Sequence, residues 1–270
     1  MTEAHEPPLP QGVERIRAPN PGPLTLSGTN AYLVGEPTYV IDPGPAVEGQ
    51  LERVWEAAER RGGVAGIALT HRHLDHAELA PALRERSGAP LAAGPEGPPA
   101  AFEEPGAEGL TVDVVLGEGD RFGPLETIFT PGHAADHVSF LLGAVCFCGD
   151  TVLGQGSVFI PPGGGSLASY LGSLRKLEQL ELGALCPGHG PVVPEPRAKL
   201  REYLEHRLDR ERRLVDALDR GLRDREQLLS EVWDDAPPAL RPAAALTLEA
   251  HLEKLEQEGR LPTGVERLDL

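Results

Sequence analysis

The sequence predicts an α/β domain of layered sheets flanked by helices, with a small helical unit appended at its C-terminal end. Three observations carry this. Through the first 195 residues short β-rich runs alternate with helical spacings, separated by many Gly- and Pro-marked turns. From Arg197 onward nearly everything is helix-forming, with breaks at Gly221, at Pro237-Pro238 and at Gly259. A length of 270 residues suits one large domain plus an appendage. The expected division is 1–195 and 196–270, with the boundary at Pro194–Pro196.

Taken in order, Met1–Gln11 is expected to be mobile or loosely docked. AYLVG (31–35) and TYVID (38–42), joined across Glu36 and Pro37, read as a hairpin. Leu51, Val54, Trp55 and Ala58 fall at helical spacing between Val47 and Arg61. AGIALT (65–70) reads as a buried strand and HAELAPALRER (76–86) as one helix. Short strands follow near 112–116, 125–130, 138–142 and 145–149, then a helix over 167–180 and a strand at ALC (184–186). Ile160–Ser166 (IPPGGGS) reads as a flexible loop, a candidate substrate flap.

Composition bounds the function. The net charge of −17 disfavours non-specific binding to nucleic acid or an anionic membrane. The three cysteines, Cys146, Cys148 and Cys186, form no CxxC pair, and a reducing compartment is expected. Met1–Pro10 lacks the basic and apolar regions of a signal or transit peptide, and no run has the length of a membrane span. The expectation is a cytoplasmic protein with no membrane partner; homo-oligomerisation is left open.

The chemistry concentrates in Thr70-His71-Arg72-His73-Leu74-Asp75-His76, between a strand and a helix. In extended chain, residues i and i+2 point the same way, so His71 and His73 converge on one point. Asp75 and His76, where the chain turns into the helix, face a second. Imidazole and carboxylate are the ligands zinc takes outside thiolate sites, and manganese or iron accept them too. TPGH (130–133), CGDT (148–151) and CPGHG (186–190) each place one ligand type, His133, Asp150 or His189, just past a strand and beside glycine. A carboxylate such as Asp150 has two oxygens and can bridge two cations.

In HxHxDH and the later His133, Asp150 and His189, in this order and spacing, the sequence resembles the metallo-β-lactamase superfamily. The resemblance implies an αββα sandwich with two ions at one edge of its sheets. His71, His73 and His133 would hold the first ion; Asp75, His76 and His189 the second; Asp150 would bridge. Two Zn²⁺ per chain are expected, with Mn²⁺ or Fe²⁺ as alternatives. NPGPLTLSGTNAYLVG (20–35), TPGHAADH (130–137), GDTVLGQG (149–156), YLGSLRKL (170–177), CPGHGPVV (186–193) and EHRLDRERRL (205–214) resemble the β-lactamase-like-protein-2 family. That family implies a winged-helix-like C-terminal domain, here Arg197–Leu270, and has a mitochondrial endoribonuclease acting on single-stranded RNA among its animal members. The family's Gly-Gly after HxHxDH and one further residue is absent here; Ala77 and Glu78 follow His76 instead.

Other residues carry two readings each. His137 is a supporting histidine with satisfied hydrogen bonds or, in the sharper reading, a catalytic proton donor to the leaving group. Asp42 reads as a supporting acid, Asn30 as a turn stabiliser, and Cys148 and Cys186 as small buried residues. Tyr170 and Ser173 share a helix face and either pack or reach substrate. The run 197–213 holds seven basic residues against four acids. It reads as a solvated helix with ion pairs one turn apart, or as a patch for a polyanion, joined there by Arg72 at the metal mouth.

Two close cations would lower the pKa of a bridging water and supply hydroxide, with Asp75 orienting it. Three functions follow, in order. The first is a phosphodiesterase, an endoribonuclease on single-stranded RNA. The second is a hydrolase of small esters, thioesters or lactones. The third is a non-catalytic nucleic-acid-binding or interaction protein.

Overall fold

Alternation along the strands sorts side chains into layers. The chain is a computed structural model that describes residues 6–97, 110–162 and 164–268. In β2 (Asn30–Val34), Ala31 and Leu33 face one way and Tyr32 and Val34 the other, as a two-residue period requires. Ala31 and Leu33 join Val40, Ile67 and Leu69 beneath α1 (Gln50–Glu59) and α3 (Ala80–Ser87). Tyr32 and Val34 meet Val138, Phe140, Phe147 and Cys186 from a second sheet. That second sheet turns Cys146, Cys148 and Leu185 outward, onto α4 (Leu167–Glu178) and α5 (Pro196–Asp219). The layers are helix, sheet, sheet, helix.

The first sheet runs β1 (Val13–Arg17), β2, β3 (Thr38–Ile41), β4 (Val64–Leu69), β5 (Leu91–Ala93), β6 (Val114–Val115). Its first three strands are antiparallel; β3 to β6 are parallel. The second runs β11 (Ala184–Pro187), β10 (Val145–Gly149), β9 (Val138–Leu142), β8 (Leu125–Phe129), β7 (Arg121–Phe122). Its pairs are antiparallel except β10 with β11. Strands β1, β5 and β7 were not expected from the sequence. The helix expected over 76–86 is two pieces, α2 (Leu74–Ala77) and α3, parted at Glu78–Leu79. Met1–His5 lie outside the described residues, but Glu6 is docked, paired with Arg15 and Arg17 of β1.

Helix α5 belongs to two cores. Its first half sends Leu200, Tyr203 and Leu204 against α4. Its second half sends Leu214, Ala217 and Leu218 into a separate cluster with α6 (Arg225–Val232) and α7 (Arg241–Gln257). A continuous helix of 24 residues, starting at Pro196, therefore belongs to both cores. No strand follows β11 among the described residues. No helix of the described residues is long and apolar enough to cross a membrane.

The Tyr203 hydroxyl ties α5 to the loop after β10. It donates to the Gly156 carbonyl at 2.7 Å and accepts from the Leu153 N–H at 3.1 Å. Tyr203→Phe is expected to lower stability by about 1–3 kcal/mol, because it leaves buried backbone groups unpaired. Urea unfolding followed by circular dichroism measures this; an unchanged midpoint would contradict the tie.

Candidate metal centre

All seven predicted ligand residues gather at one end of the two sheets. His71 follows β4, and His73 precedes Asp75 and His76 of α2. His133 lies between β8 and β9, Asp150 just past β10, and His189 just past β11. Three groups have ligand atoms within 4.8 Å of one another: His71, His73 and His133; His71, His76 and Asp150; Asp75, His76 and His189. Asp150 sits between the others, 3.3 Å from His189 Nε2, 3.6 Å from His76 Nε2 and 3.8 Å from His133 Nε2.

Hydrogen bonds behind the rings decide which nitrogen each histidine turns inward. The Asp42 carboxylate accepts the Thr70 N–H at 2.8 Å and the Thr70 hydroxyl at 2.7 Å. The Thr70 oxygen, its proton committed, accepts from His71 Nδ1 at 3.0 Å. This leaves the lone pair on His71 Nε2, which is buried without a partner. Asp42 likewise accepts from His76 Nδ1 at 3.0 Å and frees His76 Nε2. His133 Nδ1 donates to the Phe159 carbonyl at 2.7 Å and frees His133 Nε2. The freed atoms then confront one another: His133 Nε2 lies 3.0 Å from His73 Nδ1, and His76 Nε2 lies 3.3 Å from His189 Nε2. Asp150 Oδ1 is also buried and unpartnered. Such a set of converging, unsatisfied nitrogens and oxygens fits a divalent cation.

The electrostatics agree. Burial and the surrounding imidazoles hold His71 well below its usual pKa, and burial with His133 pushes His73 down to about 3. His76 moves the other way: burial opposes its charge, but Asp75, Asp150 and Asp42 raise it to about 9. Burial alone would raise Asp75, yet His76 and His189 bring it down to about 2. Positive charge is wanted at the His76–His189 side and repelled from the buried protonation sites of His71 and His73.

Backbone fit is tight. A Cβ on Gly188 would stand 2.3 Å from Asp150 Oδ1 and 2.6 Å from His76 Cε1, so only glycine lets β11 approach the cluster.

Several sequence expectations are corrected. His137, for which a supporting and a catalytic reading were both expected, is fully buried behind Asp150. Its Nε2 accepts the Asp150 N–H at 3.1 Å and its Nδ1 meets Thr130 Oγ1 at 3.0 Å, so it positions Asp150. Asn30 is no simple turn residue: its buried Nδ2 donates to the Pro187 and Gly190 carbonyls, clamping the His189 loop from the other sheet. Glu78 is exposed and accepts the Ala46 N–H, away from the ligands. Tyr170 donates to the Thr151 carbonyl and Ser173 to the Pro131 carbonyl, so both hydroxyls serve ligand-bearing loops. Of the expected flap, Gly163 lies outside the described residues. Ile160 is buried and Ser166 N–H donates to Gly132 O, so the flanks are pinned. The segment that faces the metal mouth is the preceding one, Gln155–Phe159.

The basic run offers no open patch. Lys199, Arg201, Arg210, Arg212 and Arg213 are paired with Glu202, Glu178, Asp235, Asp209 and Asp234. Arg207 and Arg210 are buried. Arg72 is held by Asp136 and the Gly94 carbonyl. The sequence reading also missed a cavity of about 460 Å³ between the cluster and the C-terminal helices, walled by Leu153, Val158, Phe159, Trp233, Leu240 and Ala244 among others. It missed Thr29 too, whose hydroxyl meets Asp75 Oδ2 at 3.4 Å.

The profile of the metallo-beta-lactamase superfamily matches residues 24–189. The chain belongs to that superfamily. It is a metal-dependent hydrolase with the αββα sandwich of the group, and residues 225–262 match the beta-lactamase associated winged helix domain. The superfamily chain is 31% identical over 270 residues to a beta-lactamase-like protein 2 homolog of Caenorhabditis elegans, covering 93% of this chain and 86% of that one. It is 33% identical over 224 residues to an atrochrysone carboxyl ACP thioesterase of Aspergillus fumigatus, covering 79% and 67%. Its fold is similar to that of a metallo-beta-lactamase family protein of Thermus thermophilus, with a TM-score of 0.72 at 24% identity over 92% of this chain and 94% of that one.

Asp42 sets the orientation of both His71 and His76, so Asp42→Asn is expected to weaken divalent-metal affinity about 10–100-fold. Competition against a chromophoric chelator measures it. Unchanged affinity would mean that the ring tautomers are set elsewhere.

Proposed function

We propose that this chain hydrolyses small acyl esters or thioesters with two divalent ions, zinc in the simplest case. His71, His73 and His133 would hold one ion, Asp75, His76 and His189 the other, and Asp150 both. The observation that carries the substrate class is the cavity. It is mostly apolar, about 460 Å³, and closed over the cluster by α5 and α7 of the C-terminal unit. That volume suits a small organic ligand. The thioesterase named among the relatives supports the same reading. Single-stranded RNA remains the second reading, supported by the likeness to beta-lactamase-like protein 2 homologs along nearly the whole chain. RNA needs cations free for phosphates, and of the seven in the run 197–213 all but the exposed Arg197 are paired or buried. The catalytic unit is proposed as 1–195 and the covering unit as 196–270. The three free, buried thiols fit work in the cytoplasm.

Bound divalent ions would activate water near neutral pH and take up negative charge from the attacked carbonyl. The residues supply the rest. Asn20 Nδ2 donates to Thr29 Oγ1 at 3.0 Å, which leaves the Thr29 proton for Asp75 Oδ2. Asp75 is thereby oriented, and it lines the cavity. Its carboxylate would take the nucleophile's proton and return it to the leaving alcohol or thiol. His137, Thr130 and Ser139 hold the Asp150 loop by a buried chain of hydrogen bonds. Trp233 and Phe159 exclude bulk water from the acyl group.

Elemental analysis of protein reconstituted with zinc or manganese should give two ions per chain; a value below one would sink the dinuclear reading. The metal-loaded protein is to be assayed side by side on thioesters, aryl esters, lactones and single-stranded RNA across a salt series. Acyl hydrolysis that is insensitive to salt and falls about 10²–10⁴-fold in Asp75→Ala is expected. RNA cleavage that is strong, salt-sensitive and equally lost in Asp75→Ala, without acyl hydrolysis, would give the nuclease first place.

A further inference from the structure

Charge on the cavity wall away from the metal cluster is nearly all cancelled. Arg210 is held by Asp235 through both carboxylate oxygens, at 2.6 and 2.7 Å. Burial and the neighbouring arginines push His206 down to about 4, so it is neutral at physiological pH. Arg207 is different. It lines the cavity, is 2% exposed, and no carboxylate pairs with it among the described residues. Its partners are neutral: the Ser157 hydroxyl at 3.2 Å, the Val158 carbonyl, and the face of the Tyr170 ring, 5.4 Å away. Its Nε is buried with no acceptor.

A guanidinium stays charged, and a buried charge without a counter-ion is unfavourable. Carbonyl dipoles and a cation–π contact offset only part of that. A ligand that brings an anion into the cavity recovers the remainder. The backbone links this position to the metal end: the consecutive carbonyls of Val158 and Phe159 accept from Arg207 and from His133.

We propose that Arg207 is a specificity residue that recognises a carboxylate on the substrate, at the end of the acyl group remote from the scissile bond. One guanidinium balances one carboxylate, and its planar fork matches that group. A phosphate dianion would leave excess negative charge in an apolar cavity. This rests on the cavity being the acyl site proposed above, and the substrate class becomes acyl esters or thioesters with a terminal carboxylate.

The test reads binding without turnover. Calorimetry on the metal-loaded full chain compares α,ω-dicarboxylates from succinate to suberate with the monocarboxylate of each length, and with the ω-phosphono acid. At one chain length the dicarboxylate should bind at least about tenfold tighter than its monocarboxylate, the range of a charge-assisted hydrogen bond. Arg207→Met should bring the two within about twofold of each other, and Arg207→Lys should keep part of the difference. Metal content of each variant is measured in parallel, because the same loop holds His133. Equal binding of mono- and dicarboxylates by the unaltered protein at every length overturns the proposal, whether or not the variants fold. So does a preference that survives in Arg207→Met. Tighter binding of the phosphono acids would overturn the carboxylate assignment. Failure of acyl hydrolysis in the earlier panel, with the dicarboxylate preference intact, would count against the reaction and not against this recognition.

Discussion

Imidazole nitrogens that face one another across 3.0 and 3.3 Å, beside a buried His71 Nε2 and Asp150 Oδ1 that have no partner, are the constraint on which the rest depends. One proton can bridge each facing pair, but none of those bonds reaches His71 Nε2 or Asp150 Oδ1. Asp75 and Asp150 hold positive charge on the His76–His189 side, whereas burial and neighbouring imidazoles keep His71 and His73 neutral, so added protons do not give His71 Nε2 a partner. A divalent cation relieves both sides, since it accepts the lone pairs that the Asp42–Thr70 and Phe159 hydrogen bonds have turned inward. Gly188, which has no room for a Cβ, lies against these same atoms, so the backbone is shaped around the cluster as well.

The two sheets deliver this arrangement from opposite sides. The first contributes His71, His73, Asp75 and His76 after β4; the second contributes His133 after β8, and Asp150 and His189 after β10 and β11. Registration between the sheets therefore controls the centre, and Asn30 and Tyr32 of β2 provide it. Both donate to the Pro187 carbonyl one sheet away, at 3.0 and 2.9 Å. The C-terminal unit closes the third side. Its helices are carried on α5, which is packed into the catalytic unit over its first half. That long shared helix makes the cavity a fixed feature of the fold.

Much of this was legible in the sequence because ligand chemistry is local. HxHxDH and three loop residues beside glycine announce a metal site by residue type and spacing alone, and period-two alternation announced most strands. What escaped depended on contacts distant in sequence. VERIR (13–17) has Glu14 and Arg15 in its middle and reads as polar chain; only pairing with β2 makes it a strand. The single helix expected over 76–86 breaks at Glu78–Leu79, where Leu79 N–H turns to the Gly44 carbonyl. Spacing from His133 left His137 with two readings; its burial and its bond to the Asp150 N–H, both set by contacts distant in sequence, favour the supporting one. The ion pairs expected along the basic run are there, yet Asp234, Asp235 and Glu178 come from outside the run and carry no signal within it. The cavity, built from segments far apart in the chain, had no signal in any one stretch.

The central claim is that the facing nitrogens exist to hold two ions. Anomalous diffraction at the absorption edge of zinc, on crystals of zinc-loaded protein, tests it most directly. The account predicts two peaks, one between His71, His73 and His133 and one between Asp75, His76 and His189, with Asp150 touching both at about 2.0–2.2 Å. A single peak, or peaks bound elsewhere with the imidazole pairs still in contact, would contradict it.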